Sequence, residues 1–447
     1  MVGGVARAGE SVPPSTELPQ ALTLDDALHI FRTRGLELLI AQAAVRNAEG
    51  AVKIAGAVPN PAVTGSVGKV ITYNANAASE QDCLKNGATC PPWIYSVGVS
   101  DSAAVEDSLS GKRDLRFKVA RNALAAAKMS RVDAERTIAF QVESAYLQVA
   151  QATLAAKFAK EIADSNATIL EKFKVKYAAG AINDGDLARM ETQKAESDQA
   201  LDRATYQLRE NRVALAFLLG VRGAVPDFDV DAKVLDYRVP PALGDATEVA
   251  LLRSAFGHRP DLIAAGYTMA SAEAQLALVK RQKFPDIALG VNYAWGGFGG
   301  YSTNGPPGPT TLTFSVSAPI PIFYSLEGEQ RQAEAQVDSN TLQHALMAKQ
   351  VVNDVATAYA SFSGAQKLVI RMEQGEPERK VRPILESAKA ALDITRLQYE
   401  KGAASLSDFL LALQTYIATK VEYFGDLTNY WTAVYQLEEA AAVDLHR

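Results

Sequence analysis

The chain repeats itself, and the repeat is built mostly of very long helices. A step of 224 positions carries Leu38 onto Leu262, Ala48-Glu49 onto Ala272-Glu273, Pro61 onto Pro285 and Val67 onto Val291. A step of 213 carries Val142-x-x-Ala145-Tyr146 onto Val355-x-x-Ala358-Tyr359. A step of 222 carries Tyr177-x-x-Gly180-Ala181 onto Tyr399-x-x-Gly402-Ala403, and Asp186 onto Asp408. Three ordered blocks at nearly one offset mark a duplicated unit of roughly 220 residues. The expected layout is an extended arm over 1–21, a first repeat over 22–220, a linker over 221–245 rich in Pro, Gly and Asp, and a second repeat over 246–447.

Each repeat carries the same element order. A helix is expected over Leu24–Gly56 and again over Ala246–Lys283, each stopped by proline at Pro59 and Pro61 or at Pro285. Two short strands follow, at about 62–100 and 286–320. Then come long helical stretches, Gly111–Ala178 and Leu326–Glu400, and a last helix in each repeat, Asp184–Leu219 and Ser405–Val443. The apolar spacing Ile138, Val142, Ala145, Tyr146, Val149 is helical. A helix of about 68 residues rises roughly 100 Å, too long for a compact domain. Gly364, Gly375, Pro377 and Pro383 are the places where the second stretch would break or kink.

The short strands change the reading. Ile287, Leu289, Val291, Tyr293 and Trp295 alternate with Ala288, Gly290, Asn292 and Ala294. Leu312, Phe314, Val316, Ala318 and Ile320 alternate with Thr311, Thr313, Ser315 and Ser317. The first repeat gives Val63, Val67, Ile71 and Tyr73, then Trp93, Tyr95, Val97 and Val99. One face is bulky and aromatic and the other small and polar, as a membrane barrel requires with lipid outside and water inside. The alternative is a pair of hairpins on a soluble core, which would leave open edges. Four strands cannot close, and an open edge is not tolerated in lipid. Two copies would give eight strands and a filled interior; three would give twelve and room for a lumen.

Composition excludes other classes. With 45 basic against 51 acidic residues and a net charge of -6, nucleic acid is a poor partner. No run of eighteen apolar residues marks a transmembrane helix, which says nothing against barrel strands. Cys83 and Cys90 sit between Asp82 and Pro91 in a polar loop. A local disulfide is expected there, with two free thiols as the alternative; a bridge would place the chain in an oxidising compartment. The start Met1-Val-Gly-Gly-Val-Ala-Arg7 has no hydrophobic signal core. Read literally it favours the cytosol, whereas the rest demands export, so a truncated or mis-started N-terminus is the expectation.

These features resemble the TolC family of outer-membrane channels over about Leu22 to Val443. The marks are Leu22-Thr-Leu-Asp-Asp-Ala-Leu28, Arg259-Pro-Asp-Leu262, and the two Tyr-x-x-Gly turns followed by Asp186 and Asp408. Gly111-Lys-Arg113 with the acidic balance resembles the heavy-metal branch related to CzcC. The resemblance implies a mainly α chain with a transmembrane β part and an internal two-fold repeat. Long antiparallel helical hairpins would form an α-barrel, and four strands per chain would join a twelve-stranded β-barrel in a homotrimer. Val67, Ile71, Tyr95, Val97, Ile287, Leu289, Val291, Tyr293, Leu312, Phe314 and Val316 would then face outer-membrane lipid. The implied partners are a periplasmic adaptor and an inner-membrane pump, often of the resistance-nodulation-division type. Cys83 and Cys90 would fall in an external loop. No Cys near the N-terminus offers a lipid anchor.

The two turns, Tyr177 to Asp186 and Tyr399 to Asp408, would form the periplasmic tip. On the residues alone, Gly180 and Gly402 end helices while Asp184 and Ser405 cap the next ones. The resemblance adds adaptor contact at Tyr177, Gly180, Ala181, Tyr399, Gly402 and Ala403. It also makes Asp408 a gate aspartate and Asp186 a tip aspartate that ties neighbouring helices. The family's second gate aspartate is Leu411 here. A ring of carboxylates raises the pKa of some members and attracts cations.

Other motifs carry little. Asp227-Phe-Asp-Val-Asp231 lacks the Gly and Glu of a calcium loop and reads as exposed linker. Trp295-Gly-Gly-Phe-Gly-Gly300 lacks the Lys-Ser/Thr of a phosphate loop and reads as a hairpin turn. His29, His258, His344 and His446 share no ligand spacing, so no metal site or cofactor is expected, and no nucleophile setting suggests an enzyme. The functional expectation is a passive exit duct of a tripartite efflux system for heavy-metal cations or small toxic compounds. A type I protein-secretion channel and a soluble helical scaffold are the alternatives. Replacing Asp408 with Ala is expected to raise the conductance of reconstituted channels and weaken block by multivalent cations; unchanged conductance and block would remove Asp408 from the gate.

Overall fold

The computed structural model describes residues 15–69, 71, 93–244, 246–296, 310–376 and 381–445. Cys83, Cys90, Tyr73, residues 297–300, Pro306, Pro307, Pro309 and Pro377 lie outside the described residues, as do residues 1–14 and His446. In chain order the elements are β1 (Ala21–Leu22), α1 (Leu24–Arg34), α2 (Leu36–Gly56), β2 (Ala62–Lys69), β3 (Trp93–Ser100), α3 (Ala104–Leu109), α4 (Lys112–Ala178) and α5 (Asp184–Leu218). They continue with β4 (Asp229–Val230), α6 (Glu248–His258), α7 (Pro260–Gln282), β5 (Ala288–Gly296), β6 (Thr311–Ser317), α8 (Glu327–Glu373), α9 (Ile384–Glu400) and α10 (Leu406–Ala441).

The first helix of each repeat is broken, not continuous. Gly35 separates α1 from α2, its N–H donating to the Phe31 carbonyl at 2.7 Å. Arg259 separates α6 from α7 with ψ at 117°, the extended value that a following proline imposes. The second long stretch is broken as well. Gly364 stays inside an uninterrupted α8, while Gly375 takes a left-handed φ of 71° beyond its end. Pro383 then precedes the first residue of α9. Strand ends shift by a few residues, with β2 ending at Lys69, short of Ile71, and β6 ending at Ser317, short of Ile320. A helix long and apolar enough to cross a membrane does exist: α7, 23 residues. Yet it buries Ala272, Leu278 and Val279, and its Ser271 hydroxyl donates to the Val119 carbonyl at 3.0 Å, as a bundle helix does.

The chain divides into two compact units that cut across the repeats. One comprises Met1–Ala44, Lys128–Ile263 and Ala345–Arg447; the other comprises Val45–Ala127 and Ala264–His344. The first is helical and contains the main core, with Phe31, Tyr146, Leu215, Leu235, Tyr430 and Trp431 almost fully buried. Its helix starts follow capping chemistry. Thr23 accepts from the Asp26 N–H at 3.1 Å and Asp26 accepts from the Thr23 N–H at 3.3 Å, so the opening motif is a capping box that delivers Ala27, Leu28 and Phe31 to the core. Tyr146 donates to the Leu22 carbonyl at 2.8 Å and accepts from the Asp231 N–H at 3.0 Å. It thereby ties together the two strands of the small parallel pair β1–β4. Burial pushes this phenol up to about 12.

A charged cluster sits in the same unit. Arg259 is buried and grips Asp261 through two bonds at 3.0 and 2.6 Å and Asp354 at 2.9 Å. Burial opposes the Asp261 carboxylate, but Arg259 wins and holds that group below the usual range. Arg136 adds Asp133 at 2.7 Å and Glu439 at 3.1 Å. Removing one member strands buried charge, so the Arg259-Pro-Asp-Leu262 block is structural cement. The linker carboxylates are exposed, as the sequence implied, and pair with Arg209 (to Asp227, 2.8 Å) and Arg212 (to Asp229, 2.7 Å).

The other unit holds a four-stranded antiparallel sheet of order β2-β3-β5-β6, so β3 and β5 join the hairpins of the two repeats. Alanine substitution separates the two glycines of the broken helix. A Cβ at Gly364 meets nothing within 4 Å, so Gly364→Ala should stabilise by about 0.5–1 kcal/mol. At Gly375 a Cβ would overlap the Val381 carbonyl oxygen at a left-handed φ, so Gly375→Ala should destabilise by at least about 2 kcal/mol. Thermal midpoints in detergent should therefore move in opposite directions.

Candidate functional site

The register of the sheet decides what its faces do. Val63 lies opposite Val99, Val99 opposite Val291, and Val291 opposite Phe314. Val97, Tyr293 and Leu312 form the next row, and Val67, Tyr95 and Trp295 another. Directly opposed residues share a face. So the lipid candidates Val67, Tyr95, Val97, Leu289, Val291, Tyr293, Leu312, Phe314 and Val316 lie on one side of one sheet. Ile71 and Ile287 fall just outside the strands and are exposed. The other side carries rows of small groups: Thr64, Gly98, Asn292 and Thr313, then Ser66, Ser96, Ala294 and Thr311. The Ser66 and Ser96 hydroxyls are 2.8 Å apart.

No core covers the apolar side among the described residues. Phe314 is 75% exposed, Val63 73% and Val316 72%, values that remove the reading of hairpins packed on a soluble core. Tyr95 stacks on Trp295 at 5.9 Å, and Tyr293 lies 5.6 Å from the same ring, so an aromatic cluster ends the apolar band. Among the described residues β2 and β6 pair on one side only. Each therefore offers a row of backbone donors and acceptors to another chain.

The Gly111-Lys-Arg113 segment works at the foot of this sheet. The buried Lys112 ammonium donates to Asp286 at 2.6 Å and to the Phe284 carbonyl at 2.7 Å, with Glu106 at 3.4 Å. Lys112 holds the Asp286 carboxyl below its ordinary range. Arg113 grips the Gly56 carbonyl at 2.9 and 2.7 Å, and Arg116 makes a bidentate pair with Asp107 at 2.7 Å. These residues join strands to helices, so the segment that suggested the heavy-metal branch is accounted for by structure.

The second candidate region, in the helical unit, is the pair of turns α4–α5 and α9–α10. Their backbones use one pattern twice. Gly180 donates to the Tyr177 carbonyl at 2.9 Å and Ala181 to the Lys176 carbonyl at 2.9 Å. Gly402 donates to the Tyr399 carbonyl at 3.0 Å and Ala403 to the Gln398 carbonyl at 2.8 Å. Both are Schellman turns, with φ of 70° at Gly180 and 76° at Gly402. Asn183, not Asp184, caps α5: its side chain accepts from the Asp186 N–H at 2.8 Å, which leaves Asp184 as the exposed first helical residue. Ser405 caps α10 as expected, in a capping box with Asp408.

Packing brings the two turns together through residues the sequence reading passed over. Phe173, Met190, Leu406 and Phe409 are buried in a small separate core. Tyr399 stacks between Phe173 and Phe409, 5.9 Å from each ring. The Lys176 ammonium lies 5.6 Å from the Tyr399 ring, a cation–π contact between hairpins. Arg189 reaches Asp186 at 3.7 Å on its own helix and the Ser407 hydroxyl at 3.3 Å on the other. Burial and the nearby Asp186 push the Tyr399 phenol up. Tyr177 is exposed and outside this core. The one local signal was the helical spacing of Asp186 and Arg189; Phe173 and Lys176 meet Tyr399 on the other hairpin.

Asp408 has a local role in the protomer. Its carboxylate accepts from the Ser405 N–H at 3.0 Å and the Ser405 hydroxyl at 2.7 Å. Those bonds hold the exposed carboxyl below its ordinary value, so it is charged at neutral pH. A ring of like charges would act against that local pull.

The comparisons with known proteins agree with this geometry. The model of the family described as "Outer membrane efflux protein" matches residues 28–221 and 251–443, one match in each repeat. The pyoverdine export outer membrane protein OpmQ of Pseudomonas aeruginosa is 24% identical over 407 residues, covering 89% of this chain and 80% of OpmQ. Its Pseudomonas putida counterpart is 25% identical over 389 residues, covering 86% and 78%. Among solved structures, CusC superposes with a TM-score of 0.73 at 16% identity, covering 99% of both chains. The outer membrane protein VceC of Vibrio cholerae gives 0.71 at 19% identity, covering 94% of this chain and 96% of VceC. The folded repeats, the two-faced sheet and the family match lead to one conclusion: the chain belongs to the outer membrane efflux protein family and is an outer-membrane channel of that kind.

Proposed function

We propose that three copies of this chain close a twelve-stranded barrel in the outer membrane and form the passive exit duct of a tripartite efflux system. The observation that carries the reading is the four-stranded sheet with one exposed apolar face, one small polar face and two half-paired edges. In lipid those edges must be paired, and sister copies supply matching ones. Three sheets rather than two leave an aqueous lumen lined by the rows of Ser, Thr, Asn and Gly.

Family membership supports work with a periplasmic adaptor and an inner-membrane pump. A pump of the resistance-nodulation-division type is our finer proposal. The turns at Tyr177–Ala181 and Tyr399–Ala403 would meet the adaptor, with Arg189 and the Tyr399 stack setting their spacing. Cargo would be heavy-metal cations or small toxic compounds chosen by the pump. A duct lined by small hydroxyl groups has little chemistry with which to select, and the channel would act without catalysis. OpmQ is named for pyoverdine export, which favours small-molecule cargo over secreted protein for a chain of this kind.

Asp408 would supply one carboxylate per chain to a ring at the periplasmic mouth, with Asp186 and Asp184 near the same turns. Because Asp408 also completes a helix cap, Asp408→Asn is the informative change: the amide oxygen keeps the cap acceptor while the charge is lost. Reconstituted in planar bilayers, this variant should lose at least half of the wild-type block by multivalent cations while staying trimeric on sizing. Undiminished block would remove Asp408 from the gate, and a monomer on sizing would remove the barrel.

A second prediction concerns the link between hairpins. Arg189→Ala and Tyr399→Ala should each weaken the hairpin contact, by about 0.5–1.5 kcal/mol for the stacked aromatic. In single-channel records both should raise the frequency of openings. If closed-state lifetimes match wild type, the hairpin contact has no part in gating.

A further inference from the structure

Where α7 meets β5, the surface is concave and apolar in a way that the duct does not use. A cavity of about 540 Å³ is lined by Val105 and Leu109 of α3, by Phe284 and Pro285, and by Ile287 and Leu289. Leu109 is 82% exposed and Phe284 60%, so α3 and the α7–β5 connection present large apolar groups to no protein partner among the described residues. Leu289 belongs to the apolar face of the sheet. The cavity is therefore a continuation of that face past the end of the strands, at the level where a barrel leaves hydrocarbon for headgroups.

Two observations indicate what fills it. β5 is an inner strand, paired with β3 and β6, so the cavity lies away from the half-paired edges where a sister chain must join. The end of α7 is also basic, with Lys280, Arg281 and Lys283 all exposed. Arg281 lines the cavity, its guanidinium 5.6 Å from the Phe284 ring, and its Nε donates to the Ser110 carbonyl at 2.7 Å. That leaves its terminal nitrogens, like both lysines, without an ion pair among the described residues. Glu106, the acid on the cavity wall, is answered by the buried Lys112 at 3.4 Å.

We propose that this concavity is a binding site for an anionic phospholipid of the periplasmic leaflet. One acyl chain lies along Leu109, Phe284 and Leu289, and the phosphate meets Arg281 with Lys280 and Lys283 around it. The inference rests on the reading that the apolar face of the sheet meets lipid.

The test uses the full-length channel in phosphatidylcholine vesicles, with acyl-brominated lipid as a contact quencher of tryptophan. Native Trp93 and Trp295 report on the sheet, the buried Trp431 is a silent reference, and Leu109→Trp adds a reporter in the cavity. Brominated phosphatidylglycerol should half-quench the added signal at a mole fraction roughly threefold lower than brominated phosphatidylcholine does. Combining Lys280→Gln, Arg281→Gln and Lys283→Gln in the Leu109→Trp background should make the two lipids equal. Equal potency with the three cations present would overturn the proposal. So would an unquenched Leu109→Trp signal beside quenched Trp93 and Trp295, the result expected if a neighbouring chain fills the cavity. Failure to quench Trp93 and Trp295 would instead overturn the lipid-facing sheet, and the phospholipid site with it.

Discussion

A backbone amide or carbonyl in hydrocarbon has no water to fall back on, and β2 and β6 each present a row of them. That constraint governs the protein. A sheet with one exposed apolar face and two open edges is unstable alone in either solvent: water penalises the face and lipid penalises the edges. Only closure with other strands around a polar lumen satisfies both. The rows of Ser, Thr, Gly and Asn on the opposite side would keep such a lumen wet and unobstructed.

The polar motifs mostly serve the joints that this arrangement needs. Lys112, Arg113 and Arg116 fix the passage from strand to helix. Arg259 and Arg136 hold helices of this unit through buried and half-buried pairs, whose value lies in the cost of breaking them rather than in net attraction. The paired Schellman turns and caps reverse the chain at the helix ends. None of these groups needs to recognise cargo, which suits the passive duct proposed above.

The repeat and the strand alternation were legible because both are periodic, and periodicity survives in a single sequence. Val291 and Phe314 could be assigned to a face from spacing alone, and the register then placed them in adjacent positions. The breaks at Gly35 and Arg259 were missed because the apolar period runs straight through them. Pro260 directly follows the second break and pushes Arg259 out of helical geometry. The expectation of Asp184 as the cap rested on residue preference, which does not separate it from the neighbouring Asn183. Arg189, Phe173 and Lys176 were harder to assign for a different reason: their partners across the hairpins, Ser407 and Tyr399, are distant in sequence, and local spacing does not name them.

The most direct measurement is the accessibility of spin labels at Phe314→Cys and Thr313→Cys, in protein with Cys83 and Cys90 replaced by Ser and reconstituted in lipid vesicles. These neighbours lie on opposite faces of β6. Relaxation of the first label by oxygen and of the second by a water-soluble nickel chelate is the result predicted for a wall between lipid and lumen. Chelate access to both labels, or shielding of both from either reagent, would contradict it.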